Sequence, residues 1–105
     1  MTTDGTAFRI EPADDDRSFV LTGELDMSAA DLVTEATASL AGEGDVVFDL
    51  AGLMFIDSSG LRAVLQVAER IPDGKLVLRD PTDAVRRVLD IVGLAEASPR
   101  VVVDA

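Results

Sequence analysis

The chain contains no cysteine and no histidine. The first absence removes disulfides, thiolate nucleophiles and cysteine-based metal sites. The second removes the commonest general base and metal ligand at neutral pH, and with it any Ser-His-Asp triad. Tryptophan and tyrosine are also missing, and four phenylalanines are the whole aromatic complement, so aliphatic side chains and alanine must build the core. Positive charge is scarce: 9 Lys and Arg stand against 20 Asp and Glu, a net charge of −11 at pH 7. Such a chain repels a phosphate backbone and an anionic membrane surface, so neither nucleic acid nor membrane is an expected partner. Long apolar runs are missing too. Leu53-Met54-Phe55-Ile56 is far too short to cross a bilayer. Met1 to Gly5 lacks the basic start and apolar stretch of a signal peptide. The expectation is a soluble, cytoplasmic protein.

What is present is a hydrophobic share of 48% over 105 residues, enough for one domain with its own core. A single domain over 1–105 is expected, with a core of about 7–95 and residues 1–6 loose. Ala7 to Glu11 alternates apolar and polar and reads as a half-buried strand. Pro12 and the acidic run Asp14-Asp15-Asp16 mark a turn, and Ser18 to Thr22 a second strand ended by Gly23 to Asp26. Ser28 and Asp31 resemble a capping box opening a helix to about Leu40, with Leu32, Ala36 and Leu40 on one face. Gly42-Glu43-Gly44 stops it. Asp45 to Leu50 carries the continuous apolar run of a strand buried on both faces, and Ala51-Gly52 breaks it. Leu61, Val64, Leu65, Ala68 and Ile71 then fall at helical spacing, and Pro72-Asp73-Gly74 ends that helix. Lys75 to Arg79 is another strand. A third helix, capped by Thr82 or Asp80, carries Val85, Val88, Leu89 and Val92, stops at Gly93 and lets Leu94 pack back. Val101 to Val103 is a short final strand. One hairpin followed by βα alternation predicts an α/β fold: a mixed sheet of four or five strands with about three helices packed on it.

The segment Asp57-Ser58-Ser59-Gly60-Leu61 carries the chemistry. Two hydroxyls sit where a loop enters an amphipathic helix, at its positive end, and an anion is favoured there. Gly60 leaves the first turn open to a large partner, and Arg62 lies one helical turn from Ser58. The same residues also serve as a plain helix cap. A serine hydrolase is disfavoured: no base adjoins Ser58, Ile56 stands where a nucleophile elbow needs glycine, and Lys75 is the only lysine. A receiver-type phosphoacceptor at Asp49 lacks the further carboxylates that a magnesium site needs. Arg86-Arg87 reads as a solvated helix face. No metal and no cofactor is expected, and no catalytic residue is assigned.

Three matched segments resemble STAS domains, specifically the anti-sigma-factor antagonists. They are Phe19 to Asp26, Val47 to Leu50 followed by Phe55 to Leu61, and Asp80 to Leu94. The resemblance implies a partner-switching module and not an enzyme. In such systems the unmodified antagonist binds an anti-sigma factor that is also a GHKL-type serine kinase, and so frees a sigma factor. The kinase phosphorylates the serine after the motif's aspartate, here Ser58, with Ser59 the lesser candidate. The phosphorylated antagonist lets go, and a PP2C-type phosphatase resets it. The resemblance places Asp26, Asp57, Ser58, Ser59, Gly60, Leu61 and Arg62 at the partner surface. Arg62-Ala63 departs from the Gly-Val of the best-known members. A non-switching STAS scaffold, or the soluble subunit of a transport complex, is the alternative.

Overall fold

A computed structural model describes residues 8–13, 17–38, 40, 44–71, 73–93 and 98–104. The expectations for residues 1–6, Asp14 to Asp16, Gly42, Glu43, Pro72 and Leu94 lie outside these. The chain begins with the expected hairpin: β1 (Arg9–Pro12) pairs antiparallel with β2 (Ser18–Leu25), with Ile10 opposite Leu21. The strand takes in Pro12, which was expected in the turn. A proline is tolerated there because β1 is the sheet edge, where its missing N–H breaks no ladder.

The rest alternates as the hydrophobic pattern demands: α1 (Ala30–Ala36), β3 (Val46–Ile56), α2 (Ser58–Arg70), β4 (Leu76–Arg79), α3 (Asp83–Val92) and β5 (Val101–Asp104). Strand order follows sequence order, β1-β2-β3-β4-β5, and every pair after the first is parallel. This is the mixed five-stranded sheet with three helices. The fully buried Leu21, Leu25, Val46, Phe48, Leu53, Leu76 and Leu78 come from its inner strands. The Phe19 and Phe48 rings meet edge to face with centroids 5.9 Å apart, the favoured geometry for two quadrupoles.

Three local readings are corrected. Ala51-Gly52 does not break β3, which runs unbroken for 11 residues. Val20 faces Asp49 and Thr22 faces Gly52, so a bulge absorbs the irregular pair, and Asp49 Oδ1 accepts from the Ala51 N–H at 3.0 Å. A second register shift, between Gly23 and Glu24, carries β2 on to Leu25. The capping box does not form either. Ser28 donates from its hydroxyl (2.7 Å) and its N–H (3.0 Å) to Asp26 Oδ1, and α1 starts at Ala30 with no side-chain cap. Finally, α1 buries Val33 and not Leu32, which is 43% exposed, and it ends at Ala36 and not at Leu40. Thr37 ends it by donating its buried hydroxyl to the Val33 carbonyl at 2.8 Å, a bond that competes with continued helix. By contrast, Gly93 terminates α3 at φ 64° as expected, and Thr82 is the cap.

Candidate functional site

The site lies where β2 and β3 end side by side. Leu25 pairs with Ile56, and the Asp57 N–H donates to the Leu25 carbonyl at 3.2 Å. Asp26 and Asp57 therefore leave the sheet at the same end. Asp57 is the N-cap of α2: its backbone is extended, and its Oδ1 accepts from the Gly60 N–H at 2.9 Å. Its carbonyl takes the Leu61 N–H at 2.9 Å. These two bonds fix the entry angle of a 13-residue helix whose buried side is Gly60, Leu61, Ala63, Val64, Val67 and Ala68. The first turn is thereby held from beneath by the core and from its start by Asp57.

That frame sorts the candidate residues. Ser58 is exposed and Ser59 half-buried, while Gly60 and Leu61 face inward. Arg62 is exposed one turn beyond Ser58. Asp26 is half-buried, with its carboxylate on Ser28. Gly60 does not open the turn to a partner. A Cβ there would lie 2.6 Å from the Leu25 carbonyl oxygen and 2.8 Å from Leu25 Cγ. The glycine exists so that β2 and α2 of this chain can touch. What the geometry offers is a presented hydroxyl, Ser58 Oγ, at the positive end of a rigid helix. Among the described residues no group of three or more Asp and Glu side chains is placed to hold a metal ion, and no helix is long and apolar enough to cross a membrane.

Sequence patterning missed part of this surface. Met27 follows Asp26 and is 76% exposed, and Met54 (63%) and Phe55 (45%) stand out near the end of β3. Large apolar side chains in water are informative because they cost burial energy until covered. The register shift opposite Gly23 and Glu24 sets Phe55 against Glu24, and Met54 is the residue it leaves unpaired. Only that shift could have revealed the exposure, and it has no signature in the strand's composition.

Known proteins share this sequence pattern and fold. A Bordetella bronchiseptica protein, BtrV, assigned as an anti-sigma factor antagonist, is 40% identical over 75 residues, covering 69% of this chain. The match spans 65% of that relative's length. The structure of the anti-sigma factor antagonist SpoIIAA in its unphosphorylated form superposes with a TM-score of 0.63 at 27% identity, over 94% of this chain and 89% of the other. An anti-sigma factor antagonist from Mycobacterium paratuberculosis shares the fold, with a TM-score of 0.67 at 22% identity over 96% and 90%. The STAS domain model matches residues 8–101. With that match, the sheet order and the loop at Asp57 to Leu61 in place, the chain belongs to the STAS domain family.

Proposed function

We propose that this chain is an anti-sigma-factor antagonist, a cytoplasmic switch that acts by binding and not by turnover. The unmodified form binds an anti-sigma factor that is also a GHKL-type serine kinase, and a sigma factor is released. Ser58, Ser59, Asp26 and Arg62 meet the partner, with Met27 and Phe55 as apolar contacts; Asp57, Gly60 and Leu61 hold the loop in shape. The carrying observation is the exposure of Ser58 on a first turn tied down on both sides, by the Asp57–Gly60 bond and by the buried Gly60 and Leu61. An enzyme can reach this hydroxyl without unfolding anything.

In the switching step the Ser58 oxygen attacks the γ-phosphorus of ATP bound to the kinase. The new O–P bond forms as the bond to the β-phosphate oxygen breaks, a base on the kinase takes the hydroxyl proton, and ADP leaves. The product carries about −1.5 to −2 extra charge. At a helix N-terminus that charge is tolerated by the fold. In a closed interface it must be desolvated, and a 100-fold loss of affinity needs only about 2.8 kcal/mol. A PP2C-type phosphatase hydrolyses the ester and restores binding.

Capture from native lysate on wild-type, Ser58→Ala and Ser58→Asp baits tests this. Ser58→Ala is expected to retain a GHKL-type kinase as wild type does, and Ser58→Asp to lose it. Equal retention by all three would overturn the switch and leave a scaffold or a transport-complex subunit as the better account.

A further inference from the structure

We propose that Arg62 is the internal partner of the phosphate on Ser58: modification draws its guanidinium onto the phosphate and withdraws it from the binding surface. The inference rests on the phosphorylation proposed above. In a chain with 20 acidic residues an arginine has many carboxylates to pair with. Arg62 has taken none: it is exposed and makes no hydrogen bond or ion pair to any described residue. Four other arginines are committed, while Arg79, Arg86 and Arg87, like Arg62, pair with no described residue. Arg17 donates to the Gly44 carbonyl at 2.9 Å and Arg70 to the Thr37 carbonyl at 3.0 Å. Arg100 donates to the Ile71 carbonyl, and Arg9 pairs with Glu11 at 3.2 Å.

The helix sets what Arg62 can reach. Side chains three and four positions apart are neighbours on α2. For Arg62 these are Ser58, Ser59, Leu65 and Gln66, and none is acidic. Its polar neighbours on the helix are two hydroxyls and one amide, and it gains an oppositely charged neighbour there when Ser58 becomes an anion. A guanidinium suits that task, since its donor fork matches phosphate oxygens two at a time. The other charged groups around the position are acidic. They are Asp57 at the cap, Asp26 on Ser28, Glu24 near the end of β2, and Asp31 and Glu35 on α1, which packs on α2. All of them repel the phosphate, and the next cation along α2, Arg70, is held by Thr37.

The test needs no partner protein. Phosphoserine is placed at position 58 during translation, and its second ionisation is followed by phosphorus NMR at low salt. Arg62→Gln is expected to raise that pKa by about 0.3 of a pH unit, because the dianion loses its counter-charge. Arg62→Lys should restore most of the shift. The double variant Arg62→Gln/Gln66→Arg keeps the net charge but moves the cation a turn away, and should not restore it. Added salt should shrink the difference. Equal titration of wild type and Arg62→Gln, both with wild-type circular dichroism, overturns the pair. Recovery by the double variant overturns it too, because any nearby charge would then suffice. Loss of the pair with bait-dependent capture intact removes this inference alone. A measured pair with no kinase captured removes the switch and leaves the ion pair.

Discussion

Ser58 is made available by three neighbours that do different work. Asp57 holds the loop through the Gly60 N–H, Gly60 lets the helix meet β2, and Leu61 anchors the turn in the core. Because a methyl at Gly60 collides with backbone, Gly60→Ala is expected to cost about 2 kcal/mol in urea denaturation. It should also weaken kinase capture even though Ser58 is intact. An unchanged midpoint would show that β2 and α2 yield easily. The role of Asp57 as a cap was among the readings that the sequence allowed. The role of Gly60 was not. A glycine that admits a ligand and one that admits its own sheet look alike until the paired strand is in place.

At the scale of elements, sequence periodicity was sufficient where a helix is long and well framed. The 13 residues of α2 follow their 3.6-residue stripe, and Thr82 and Gly93 bracket α3 as their chemistry dictates. The seven-residue α1 gave a false stripe, because two turns are too few for periodicity to pick a face. Asp26 then decided the matter by taking Ser28 from the capping role and starting the helix at Ala30. The consequence is measurable. Val33→Ala should lower stability by about 2 kcal/mol, since the removed methyls leave a fully buried site. Leu32→Ala should cost about 0.5 kcal/mol, since that side chain is already partly in water. The reverse ranking in thermal or chemical melts would return α1 to the sequence-expected face. The bulges of β3 were illegible for a related reason: Ala51-Gly52 carries a break signal, and only pairing to β2 converts a break into a bulge.

Across the whole molecule, the architecture keeps the buried core apart from the proposed switch. The parallel strands β2 to β5 bury the core, and the proposed switch lies at the end where β2 and β3 stop. A net charge of −11 at pH 7 disfavours nucleic acid and anionic surfaces as partners. The same negative field favours a partner that is basic where it meets the Ser58 loop, and so makes one further dianion decisive. Phosphorylation is therefore expected to change affinity and leave the fold alone. The most direct measurement is the affinity of the captured anti-sigma kinase for two forms of this chain, one unmodified and one with phosphoserine at position 58. Backbone NMR spectra of both should be recorded alongside. The prediction is at least a 100-fold weaker complex for the phosphorylated form, about 2.8 kcal/mol, with shift changes confined to the Asp26 and Asp57–Arg62 segments. Equal affinities, or a loss of affinity accompanied by melting of α2, would contradict it.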